Sequence, residues 1–239
     1  MTERPGTAVV IGATGGIGSA LLARLRAEDR FESVLGASRR PPADDPLSLT
    51  LDLENEASIA AAAARLQSHP PLDLVIVATG VLHGSGLRPE KSYRALDPTA
   101  LARVFAINTI GPALVAKHLL PLMARDGRSV FAALSARVGS ISDNRLGGWH
   151  AYRASKAALN MMIRNLAIEQ ARTRPHSICV ALHPGTVDTG LSDPFQKGVP
   201  TERLFTPDQS AACLLEVIAG LGPQDSGGFF AWDGSAIPF

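Results

Sequence analysis

The apolar, β-branched run at residues 7–13 breaks into Gly12-Ala13-Thr14-Gly15-Gly16-Ile17-Gly18 and resumes as a helical stripe of Ile17, Leu21, Leu22 and Leu25. A strand-like run giving way to a 3.6-residue period across glycines reads as strand, turn and helix. A glycine turn at the positive end of a helix is a place where backbone can meet phosphate. Gly12 lets the chain turn sharply, Gly16 admits a pyrophosphate close to the backbone, and Gly18 lets helix and strand pack tightly. The spacing is Gly-x-x-x-Gly-x-Gly rather than the commoner Gly-x-Gly-x-x-Gly, and a purely structural turn is the competing reading.

The rest of the chain repeats the alternation. Strands are expected at 33–38, 47–53, 72–78, 129–134, 176–182 and 228–232, with helices at 55–67, 97–123, 152–172 and 206–221. Strands separated by helices of this length imply right-handed crossovers, hence a parallel sheet covered on both faces. The expected fold is therefore a single α/β domain over residues 1–239, a doubly wound parallel sheet of about seven strands. Asp97-Pro98 is a good helix start, and Asn108-Thr109-Ile110-Gly111-Pro112 predicts a kink in that helix. Residues 190–205, aperiodic and carrying Pro194 and Pro200, read as a substrate lid or as a connection without function.

The formal net charge is +1, with basic and acidic residues well mixed, which gives no footprint for nucleic acid or an anionic membrane. A small-molecule partner is expected. Cys179 and Cys213 are isolated, the histidines show no ligand spacing, and neither a disulfide nor a metal site is expected. No apolar run approaches the ~18 residues needed to span a bilayer, and no export segment opens the chain, so the cytoplasm is the expected compartment.

Ligands in such sheets bind at the carboxyl ends of the strands, and the polar residues there are the candidates. Ser38-Arg39 follows the second strand where an NAD site would usually carry an acidic residue; guanidinium suits a 2′-phosphate, so NADP is favoured over NAD, with solvated arginines as the alternative. Asp52-Leu53 closes the third strand, where Asp52 either meets adenine or caps a turn or helix. Thr79-Gly80 closes the fourth and Ser135 the fifth. Tyr152 and Lys156, four residues apart, share one helix face. Free tyrosine titrates near pH ~10. A unit charge about 4 Å away, at an effective dielectric of ~20, is worth on the order of 4 kcal/mol, enough to bring a phenol near neutral working pH.

In this order the motifs resemble the short-chain dehydrogenase/reductase family over nearly the whole chain: Gly12-x-x-x-Gly16-x-Gly18, Asp52, Asn108, Tyr152-x-x-x-Lys156 and Pro184-Gly185-x-Val187-x-Thr189. The segment 135–160, with Gly147-Gly148-Trp149 before the Tyr152 helix, is further similar to C-factor-like and sniffer-like carbonyl reductases. The resemblance implies a Rossmann-type fold, a homodimer or homotetramer, and NADP(H)-dependent exchange of hydride with a small ketone, aldehyde or secondary alcohol; a low-turnover NAD(P)-binding sensor of C-factor type is the alternative. It implies Tyr152 as general acid, Lys156 lowering its pKa and holding the nicotinamide ribose, Ser135 orienting the carbonyl, and Asn108 keeping a relay water. Cofactor contacts are implied for Gly12, Thr14, Gly15, Gly16, Ile17, Gly18, Ser38, Arg39, Asp52, Leu53, Thr79, Gly80, Tyr152, Lys156, Pro184, Gly185, Val187 and Thr189. Two departures stand out. Val77-Ala78-Thr79-Gly80 replaces the usual Asn-Asn-Ala-Gly, and the register of the family's serine falls on Ala136, leaving Ser135 one residue early or Ser140 as its substitute.

Overall fold

All five residues of β1 (Thr7–Ile11) are buried, as a central parallel strand requires when both its faces are covered. The computed structural model describes residues 6–239 except 85, 198, 199 and 201–203. β1 leads into α1 (Gly16–Arg26), β2 (Ser33–Ser38), β3 (Ser48–Thr50), α2 (Glu56–Leu66) and β4 (Leu72–Val77). Next come α3 (Pro98–Phe105), α4 (Gly111–Leu119), β5 (Ser129–Leu134), α5 (His150–Ala171) and β6 (Ser177–His183). The chain closes with β7 (Thr186–Val187), β8 (Leu204–Phe205), α6 (Pro207–Gly220) and β9 (Phe229–Ala231).

Seven strands form one parallel sheet in the order β3-β2-β1-β4-β5-β6-β9, while β7 and β8 pair separately. The order reverses between β1 and β4, so the crevice at their carboxyl ends is where a ligand is expected. Alternate residues feed two cores. Val9 and Ile11 pack on the side of α2, α4 and α5, Ala8 and Val10 on the side of α1 and α6. Thr206 and Gln209 form a reciprocal capping box on α6, and Asp97 caps α3 through Ala100 N.

Three expectations need correction. The third strand is only Ser48–Thr50, because the Asp52 amide is taken by Ser58 Oγ and the Asp52 carboxylate accepts from Glu54 N, turning the chain early. The helical stretch Pro98–Leu122 is long and apolar enough to cross a membrane by length and composition, contrary to the sequence reading; its residues Val115, Ala116 and Leu119 are nevertheless fully buried in the protein's own core. The kink expected at residues 108–112 is a wide π turn at Ala106–Ile110. There Gly111 is required, since a Cβ on it would lie 2.6 Å from Leu53 Cβ.

Phe131, with no exposed surface at the sheet centre, should be a sensitive core position. Phe131→Ala is expected to cost about 3–5 kcal/mol, read as a drop in the midpoint of denaturant unfolding.

Candidate active site

Because every strand of the main sheet points the same way, the residues that follow β1, β2, β3 and β4 gather along one edge. They line a cleft of about 400 Å³ that includes Gly12, Thr14, Gly15, Ser38, Arg39, Asp52, Leu53, Thr79 and Gly80. Gly12 has φ +87°, and a Cβ on Gly18 would sit 2.1 Å from the Gly12 carbonyl oxygen, so the turn tolerates no side chain at either place. A Cβ on Gly16 would strike Thr189 Cγ2 at 2.6 Å, which fixes how the segment after β6 crosses the glycine turn. Ile17 turns to the core beside α1 rather than to the cleft.

The cleft fits a dinucleotide on three counts. The hydroxyls of Ser38 and Thr79 are buried without a partner among the described residues, so each is open to a ligand atom. No side chain caps the start of α1, whose positive end therefore stays available to phosphate. Arg39 lies exposed on the lining, free of burial cost. Asp52 uses one carboxylate oxygen on Glu54 N at 3.1 Å; it serves a turn, whereas the helix cap of α2 is Asn55. The sequence reading missed Arg103, His83 and Ile107 of the lining, which enter from α3, the loop after β4 and the π turn. No short motif marks them.

The catalytic candidates sit where α5 passes the ends of β4 and β5. Lys156 is buried, and its Nζ donates to the Leu134 carbonyl at 2.7 Å. The same Nζ lies 3.5 Å from where a Gly80 Cβ would be and 5.9 Å from the Tyr152 ring centre. Gly139 makes this approach possible, since a Cβ there would fall 2.7 Å from Lys156 Cβ. Asn108, with no exposed surface, accepts from Val81 N at 2.8 Å and donates to Val81 O and Ser155 Oγ at 2.9 and 3.1 Å. Its side chain thus ties the turn after β4 to α5, and the π turn gives it the room.

The two serine hydroxyls are engaged differently: Ser135 gives its proton away, whereas Ser140 has only the Ser142 hydroxyl, at 3.5 Å, as a neighbour for its own. Ser135 Oγ donates to Asn160 Oδ1 at 2.7 Å, and Ser140 Oγ accepts from Asp143 N at 3.1 Å. The expected acidification of Tyr152 is also corrected. Burial pushes the phenol up to about 12 and the Lys156 ammonium down to about 7, because both are dry and Nζ is turned to a carbonyl rather than to the phenol oxygen. His183, ending β6, is likewise kept neutral by burial, down to about 4, with Nδ1 unpartnered. At the other end of the site, Val187 is buried in the β7–β8 pair, Gly185 needs its φ of +81° against Phe205 and Trp232, and the Pro184 carbonyl accepts from Ser210 Oγ.

Comparison with known proteins gives consistent results. The family model described as short chain dehydrogenase matches residues 6–199. The chain is 38% identical over 170 residues to C-signal of Myxococcus xanthus, covering 71% of this chain and 93% of that one. It is 33% identical over 237 residues to 1-hydroxy-2-glutathionyl-2-methyl-3-butene dehydrogenase of Rhodococcus sp. (strain AD45), covering 97% and 98%. Among solved structures, NADPH-bound carbonyl reductase from chicken fatty liver superposes with a TM-score of 0.84 at 28% identity, over 99% of this chain and 95% of that one.

The buried lysine implies a pH dependence of folding. Unfolded, Lys156 keeps its proton to about 10.5; folded, only to about 7. Between these values the unfolded chain holds more protons, so stability rises with pH. Above about 10 the slope turns, because folded Tyr152 retains its proton to about 12. The urea midpoint, taken without added dinucleotide, is expected to climb from pH 7 towards 10, and Lys156→Met to flatten that climb. An equally steep climb in the variant would place the responsible group elsewhere.

Proposed function

The chain belongs to the short chain dehydrogenase family, and from that premise we propose that it is an NADP(H)-dependent oxidoreductase acting on a small ketone or aldehyde, or in reverse on a secondary alcohol. The observation that carries this reading is Lys156 Nζ lying beside Gly80 of the glycine-lined cleft, with the Tyr152 ring centre 5.9 Å from that nitrogen. The NADPH-bound avian carbonyl reductase supports the choice of cofactor. When bound, NADPH supplies the hydride. Arg39 and Ser38 Oγ hold the 2′-phosphate, the glycine turn from Gly12 to Gly18 accepts the pyrophosphate, and the remaining Asp52 oxygen meets the adenine amino group. Val187 and Thr189 orient the carboxamide, and Lys156 holds the nicotinamide ribose hydroxyls. Tyr152 gives its proton to the carbonyl oxygen. A charged Lys156 favours the ionised phenol left after that transfer, opposing the burial that acts on both alone. Asn108 supports a relay water through its backbone carbonyl, and Ser135 orients the carbonyl only after releasing Asn160.

The enzyme assembles as a homodimer or homotetramer through its long helices, which would cover the exposed Ile110, Met161 and Ile168. A second reading, a low-turnover NAD(P)-binding sensor of C-factor type, is favoured by one observation: Ser135 gives its hydroxyl proton to Asn160, and Ala136 occupies the expected serine register.

Tyr152→Phe is expected to lower the rate of NADPH oxidation with a carbonyl substrate by about 10²–10⁴-fold, with cofactor binding retained. An unchanged rate removes Tyr152 from the chemistry; no turnover by the wild type with a broad carbonyl panel, combined with thermal stabilisation by NADPH, selects the sensor. Arg39→Ala is expected to raise KM for NADPH about tenfold and to leave NADH kinetics alone, as loss of a charged hydrogen bond would. Equal effects on the two cofactors would remove the 2′-phosphate role.

A further inference from the structure

The turn before α5 holds an unusual residue. Trp149, with φ 50° and ψ 44°, is the single non-glycine residue of positive φ among the described residues. A bulky side chain in the left-handed region is strained, and such strain persists only where the surroundings impose it. Two preceding positions, Gly147 and Gly148, adopt the same region freely at φ +62° and +64°; Trp149 does not.

What imposes it is Glu90, from the loop after β4. Its backbone oxygen accepts from Trp149 N at 2.5 Å, and its carboxylate accepts from Ala151 N at 3.3 Å. Glu90 is buried, no side chain of α5 caps its own start, and so this carboxylate from another loop satisfies the positive end of the helix that carries Tyr152 and Lys156. Gly148 lies against the same loop; its φ of +64° favours glycine there, while a Cβ would fall at an ordinary contact distance, 3.4 Å, from the Glu90 carbonyl oxygen.

Held in this way, the indole meets the edge of the Tyr152 ring, with centres 6.4 Å apart at 74°, and the Phe195 ring at 4.8 Å and 61°. Phe195 in turn meets His83 at 5.6 Å. His83 Nε2 faces the carbonyls of Gly190 and Leu191 at 2.9 and 3.1 Å, so that nitrogen carries the proton and latches the start of the 190–205 segment. Three loops are thus linked by a chain of ring contacts, His83 to Phe195 to Trp149, whose last member meets the tyrosine.

We propose that Trp149, locked in its left-handed conformation by the positioning residue Glu90, is a specificity-determining wall of the Tyr152 site that selects flat, aromatic carbonyl compounds. Ring edges and faces reward another flat ring beyond the apolar area it buries, which a saturated ring of the same size does not obtain. The inference rests on the reductase reading above, and it adds the class of substrate.

Acetophenone and cyclohexyl methyl ketone share a carbon skeleton and differ in planarity, so their kcat/KM ratio with NADPH reads the wall directly. The full chain is expected to favour acetophenone by about tenfold. Trp149→Gly, which adopts the left-handed conformation without strain, should bring the ratio near one through a higher KM for acetophenone. Glu90→Ala should shift the ratio the same way. Glu90→Gln, whose amide oxygen can still accept from Ala151 N, should keep it. A wild type without preference, or a ratio unmoved by Trp149→Gly, overturns the wall while leaving the reductase standing. Failure to turn over either ketone or any carbonyl of a wider panel overturns the reductase reading and this inference together.

Discussion

The parallel sheet is the constraint on which the rest depends. Its strands are buried on both faces, so their backbone groups must be satisfied by neighbouring strands, and the crossovers must return each strand to the same edge. Segments far apart in the chain, from Gly12 to Thr189, are therefore delivered together as a consequence of folding. The cleft opens where the strand order reverses between β1 and β4, since crossovers there leave in opposite directions and nothing fills the gap between them.

Beneath that edge runs a seam of buried polar groups along α5. Asn108 clamps Val81 and Ser155, Thr109 Oγ1 donates to the Ser155 carbonyl, Lys156 reaches Leu134, and Ser135 meets Asn160. In so dry an environment each unmade hydrogen bond is costly, so the geometry is narrowly defined. The same dryness sets the ionisation of the tyrosine and lysine, each driven towards its neutral form. A site prepared in this way responds strongly to a charged partner, because a change in Lys156 charge is weakly screened there. Glycines at 12, 18 and 139 let chain segments approach closely enough for the seam and the cleft to share one wall.

Local chemistry made the architecture legible. Period-two and 3.6-residue patterns located β2, β5 and α5 to within a residue or two, and Asp97-Pro98 and Thr206-Pro207 marked helix starts because their capping bonds are made within a few residues. Asp52 illustrates the limit. Its position at a strand end was readable, but whether its carboxylate serves a turn or a ligand depends on Ser58 and Glu54 after the chain has bent.

Sequence alone determined the order of strands and helices, the glycine turn, and the four-residue spacing that sets Tyr152 and Lys156 on one helix face, since each of these follows from steric rules acting over a few residues. Only the tertiary structure decided where Lys156 Nζ points, that Ser135 is occupied by Asn160, that Glu90 caps a helix sixty residues away, and that Trp149 is held left-handed beside the tyrosine. Those outcomes depend on which distant groups exclude water from one another and which donors they leave to be satisfied, and no local pattern carries that information.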